Sequence, residues 1–119
     1  MTESLYERLG GTDGLERIAD VLIDNHVNNP RISRRFADSD VTALKKGAAT
    51  FIISGTGGPS VYEGKDMIAT HKGMNISDDE FMAVVDDAMG ALDSNGVAQR
   101  EKEEVLFILY CLRAEVVNQ

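Results

Sequence analysis

The strongest constraint on this chain is a spacing. Between Leu15 and His26 one face collects Leu15, Ile18, Ala19, Leu22, Ile23 and His26, the 3.6-residue period of an amphipathic helix. The same period returns in Val41, Leu44, Ala48, Phe51 and Ile52, in Phe81, Val84, Val85, Ala88 and Leu92, and in Val105, Ile108, Leu109, Leu112 and Val116. A half-buried strand needs sustained alternation of period two, and no segment has it. The expectation is an all-α domain spanning residues 1–119.

The breaks between these runs carry recognisable stop and start chemistry. Leu5 to Leu9 predicts a short helical turn closed by Gly10-Gly11, with Thr12 as the N-cap of the next helix. That helix should end near Asn28-Asn29-Pro30, because proline disfavours helix in the residue before it. A short turn around Ile32 and Phe36 follows, with Arg31, Arg34 and Arg35 facing out, and Asp38-Ser39-Asp40 caps the third helix. Gly55-Thr56-Gly57-Gly58-Pro59-Ser60 predicts a loop that runs to about Asp66, anchored by Val61 and Tyr62. Ser77-Asp78-Asp79-Glu80 is a capping box opening the next long helix, which Asn95-Gly96 stops. Glu101 to Glu104 should be solvated at the start of the last.

Several chemistries are excluded at this stage. A net charge of −8 argues against a nucleic-acid surface. No apolar run approaches the ~20 residues of a membrane helix, and the polar, acidic start Met1-Thr2-Glu3-Ser4 is neither a secretory nor a transit leader. One cysteine, Cys111, fits a reducing, cytoplasmic setting, and its apolar helical context reads as packing. Gly55 to Gly58 lacks the Lys-Ser/Thr of a phosphate loop, and the acidic residues at 78, 79, 86, 87 and 93 lack the alternating spacing of a calcium loop. No serine, cysteine or lysine has a nearby base to make it a nucleophile.

What remains is His71, one of two histidines in the chain. Met67 lies one turn before it and Gly73 stops the helix just after it, so Met67 and His71 share an inward face. A neutral imidazole placed there suits a metal or a haem iron. It also suits a core histidine satisfied by a carbonyl, and the residues alone leave both readings open.

The ordered motifs go further. Leu5-Tyr6-Glu7-Arg8-Leu9-Gly10-Gly11, then Phe36, then Gly57-Gly58-Pro59 with Tyr62 and Gly64, then Met67-x-x-x-His71-x-Gly73 and Phe81 resemble a group I truncated haemoglobin, in order, from about Leu5 to Val117. The resemblance implies a truncated globin, a two-over-two helical sandwich around one haem (iron protoporphyrin) per chain. It makes His71 the proximal ligand and Phe36 the distal aromatic against the haem face. It puts Leu44 at the distal gate and Phe51, Met67, Ile76, Phe81 and Ile108 in the pocket. Tyr62, with Lys65 or Lys72, becomes a candidate for the propionates.

The family's usual distal tyrosine and glutamine are replaced here by Ile23 and Ala48, and Gly47 stands where some members carry a sixth ligand. The distal side is expected to be unusually apolar. His26, three residues beyond Ile23, is either a substitute donor or axial ligand, or a core-edge histidine with a backbone partner; Lys45 and Lys46 are lesser candidates. The implied function is reversible binding of oxygen, nitric oxide or carbon monoxide, extending to ligand sensing, oxygen transport, or nitric oxide detoxification with an electron-donating reductase. The competing reading is a cofactor-free acidic helical interaction module. Colour in the purified protein separates the two.

Overall fold

Six helices and one 3₁₀ turn follow this punctuation in the computed structural model of the chain, which describes residues 3–119. Helix α1 spans Leu5–Arg8, and the Ser4 hydroxyl accepts the Glu7 N–H at 3.2 Å as its cap. Gly10 and Gly11 sit at φ 100° and 68°, which lets the chain reverse directly into α2, Gly11–Asn28. Thr12 is not the cap that the sequence predicts. The helix has already begun at Gly11, and the Thr12 hydroxyl instead shares a 2.6 Å hydrogen bond with the Tyr6 hydroxyl. The 3₁₀ turn Ser33–Phe36 leads into α3, Val41–Gly55, where Asp40 accepts the Ala43 N–H at 3.2 Å. After a loop come the short α4, Met67–His71, then α5, Asp78–Ser94, and α6, Gln99–Val116.

The long helices pack in two pairs. Helix α2 packs against α3 and α5, while α6 packs against α5 and α4. Where the pairs meet, Leu5, Leu9, Leu15, Ile18, Ile53, Ala91 and Leu92 form the main core. Ile76, Phe81, Val85, Val116 and Val117 form a second cluster beside α4. The tail closes that cluster, because Asn118 N–H donates to the Ile76 carbonyl and Asn75 N–H to the Gln119 carbonyl, each at 2.8 Å.

Three surface expectations change. Glu101 and Glu104 are not free at the start of α6, since both pair with Arg8, through Nη1 to Glu101 at 3.2 Å and Nη2 to Glu104 at 2.8 Å. Cys111 is exposed rather than packed. Val61 is 41 % exposed, so of the two expected anchors only Tyr62 is half-buried, and the Ser54 hydroxyl also holds that loop, accepting the Val61 and Tyr62 N–H groups at 3.1 Å.

Candidate functional site

Helix α4 ends on His71. Asp66 caps it, accepting the Ala69 N–H at 2.7 Å. At its other end, His71 Nδ1 lies 2.8 Å from the Met67 carbonyl oxygen. A carbonyl can only accept, so Nδ1 must carry the ring proton. In the neutral ring the tautomer is thereby set, and Nε2 keeps its lone pair. A ligating histidine is commonly held this way, with its second nitrogen donating to a carbonyl that fixes the ring and raises its basicity.

His71 stands in the wall of a cavity of about 390 Å³. Phe36 from the 3₁₀ turn, Leu44 and Phe51 from α3, Met67 from α4, and Ile76 and Phe81 around the start of α5 share that wall. Of the residues that the resemblance implies around the haem, Ile108 and the propionate candidate Tyr62 lie outside this wall. Ile108 lines an adjoining cavity of about 310 Å³, which has Phe51, Leu109 and Leu112 in common with the first. Tyr62 stands edge-on to Phe51, with ring centroids 5.2 Å apart, and its hydroxyl donates to the Lys65 carbonyl at 2.7 Å. The same bond occupies the Lys65 backbone, while the Lys65 and Lys72 side chains are on exposed residues.

The distal candidates are outside the wall. Ile23 is buried in α2, and Ala48 is half-buried on α3, and neither lines the cavity. His26 turns away towards α5, where its Nδ1 meets the Asp87 carboxylate at 2.7 Å. Its partner is a side chain 61 positions away, not the backbone group the sequence suggests. Lys45 also turns away, bridging Asp20 and Asp24 of α2 at 2.9 Å each.

Arg35 is the residue the sequence reading misplaces. It faces the cavity rather than solvent, donating through Nη2 to Glu80 at 2.8 Å, through Nε to the other Glu80 oxygen, and through Nη1 to the Met74 carbonyl at 3.0 Å. These bonds hold the Glu80 carboxyl down at about 2, helped by the Ser77 N–H of the capping box. So the two charges in the wall are tied to each other. Nothing in the run Arg34-Arg35 distinguishes the inward arginine from the outward one. Ser39 and Thr70 add the remaining short polar groups, and Leu109, Leu112 and Val116 extend the apolar surface along α6.

The bacterial-like globin family model matches residues 4–118. The chain belongs to that family. Within it, this globin is 25% identical over 117 residues to a group 1 truncated hemoglobin of Tetrahymena pyriformis, covering 98% of this chain and 97% of the relative. A group 1 truncated hemoglobin of Synechocystis is 29% identical over 100 residues, 81% of each chain. The crystal structure of the Tetrahymena pyriformis truncated hemoglobin in its Fe(III) form superposes with a TM-score of 0.94, covering 98% of this chain and 100% of that one. The fold is therefore the truncated globin of group I, and the family's cofactor is haem. The cavity fits it. A haem presents two flat apolar faces and an iron that takes an imidazole nitrogen, and this wall offers three phenylalanines and one imidazole with its proton committed to a carbonyl.

Proposed function

We propose that this globin holds one haem through His71 Nε2 and uses it to bind oxygen, nitric oxide and carbon monoxide reversibly. The observation that carries the reading is the Nδ1–H bond from His71 to the Met67 carbonyl, made by a ring standing in an apolar cavity wall. When bound, the haem supplies an iron with a position open to a diatomic gas. The protein supplies the axial nitrogen, the apolar walls, and the exclusion of water.

The part of the wall that does not carry His71 shapes selectivity. Phe36, Leu44 and Phe51 bring no N–H or O–H of their own side chains, which leaves Ser39 and Thr70 as the hydroxyls of the wall, and Thr70 donates to the Lys65 carbonyl at 3.3 Å. Arg35 and Glu80 are spent on each other and on the Met74 carbonyl. A polar gas such as oxygen therefore gains little hydrogen bonding and leaves quickly, while carbon monoxide, less polar, is less affected. Rapid exchange supports ligand sensing over storage, and makes nitric oxide detoxification with an electron-donating reductase the weaker fit. We place this activity in the cytoplasm and in one domain, 1–119; no described helix is long and apolar enough to cross a membrane.

The test is the optical spectrum of the purified protein. The reading predicts an absorption band at about 400 nm that shifts when carbon monoxide is added to the reduced form. A colourless protein that takes up no added haem would leave the acidic helical interaction module as the explanation.

A further inference from the structure

One buried polar cluster is used by none of the chemistry above. In the last turn of α2, His26 is 6 % exposed, and its Nδ1 donates to Asp87 Oδ2 of α5 at 2.7 Å. Asn29 donates its amide to both Asp87 carboxylate oxygens, at 3.1 and 3.2 Å, and Asn25 donates to the Asp87 backbone carbonyl at 3.1 Å. The carboxylate that aims the imidazole is thus itself held by Asn29, and the Asp87 backbone by Asn25. The imidazole face lies on Phe36, with ring centroids 5.6 Å apart and planes within 14°. Phe36 is in the cavity wall, and His26 is not.

We infer that His26 is a positioning residue: Asp87 fixes the plane of its imidazole, and the imidazole fixes the plane that Phe36 presents to the haem cavity. The inference rests on the haem reading of that cavity. The terminal torsion of a phenylalanine is broad, and Phe36 sits half-buried at the end of a 3₁₀ turn. Without a ring behind it, Phe36 tips. A stack of two rings held by a fixed carboxylate removes that freedom.

The variants His26→Asn, Phe36→Leu and the double variant separate positioning from plain stability. Asparagine keeps a donor for Asp87 and removes the ring. The readouts are the melting temperature, the infrared stretch of carbon monoxide on the reduced holoprotein, and the rate of haem transfer to an acceptor apoglobin. His26→Asn should broaden or split the carbon monoxide band and speed haem loss by about three- to tenfold, the equivalent of one aromatic pair. Phe36→Leu should do the same, and the double variant should add nothing further. A lower melting temperature with unchanged band and unchanged haem loss would overturn the inference, as would two effects that simply add. If His26→Asn does not fold, Asp87→Asn keeps every ring and loosens the anchor, and must broaden the band for the inference to stand. A parent protein that shows no carbon monoxide band at all would instead overturn the haem reading, and this inference with it.

Discussion

Replacing Leu44 by glutamine puts a hydrogen-bond donor beside Phe36 and Phe51 in the cavity wall. Leu44 is half-buried on α3 and lines the cavity. Glutamine is close to leucine in size and nearly as good a helix former, so α3 should be undisturbed. A bond from the amide to a gas carrying partial negative charge contributes about 1.5–3 kcal/mol. Against it stands the lost hydration of the amide, about 1 kcal/mol, towards the low end because the site is only half-buried. The net of about 0.5–2 kcal/mol corresponds to oxygen release slowed roughly twofold to thirtyfold. Stopped-flow displacement of oxygen by carbon monoxide on the reduced protein measures this directly. Carbon monoxide release, followed separately, should change far less. If both gases slow alike, the effect is steric and the polarity argument fails. If neither changes, Leu44 does not face the gas and the wall has been assigned wrongly.

The remaining predictions concern what holds the pocket's frame. The Glu80 carboxyl titrates at about 2 in the folded chain, against about 4.3 when unfolded. Its contribution to stability is therefore whole above about pH 5 and is lost as the pH falls from there towards 2. Thermal melts of Glu80→Gln should start lower than the parent at neutral pH and fall less steeply between pH 5 and 2; parallel curves would refute the linkage. At the α1–α2 junction, a Cβ on Gly14 would overlap the Leu9 carbonyl oxygen, whereas one on Gly90 meets only Asn25 Nδ2 at 3.6 Å. Gly14→Ala should cost about 1–3 kcal/mol in chemical denaturation, while Gly90→Ala, inside α5, should be neutral or stabilising by up to about 1 kcal/mol.

The helices were legible because their evidence is local. The period of apolar residues marked α2, α3, α5 and α6, and the Ser77–Glu80 capping box is present as read, each side chain bonding the other's backbone N–H. His71 was legible in part: its place at the end of a short helix came from Met67 and Gly73, while its role in the family came only from the order of motifs. What stayed hidden depends on distance along the chain. Arg35 reads as one of several surface arginines until its partner Glu80, 45 positions on, is brought beside it. His26 has the same difficulty with Asp87, because helical period reports which face a residue is on and not which helix covers that face. The outer side of α6 shows the limit from the other direction. Phe107 and Tyr110 are 61 % and 70 % exposed, and Cys111 beside them is exposed for the same reason: that side of α6 is turned away from its neighbours.

The axial role of His71 is the claim on which the rest depends, and removing its ring tests it most directly. His71→Ala leaves a gap the size of an imidazole in the cavity wall and takes away the only histidine that lines it. Spectra of the purified variant should show little or no bound haem, and adding free imidazole should restore both the band at about 400 nm and its shift with carbon monoxide. A variant that keeps the parent's spectrum without imidazole would contradict the account.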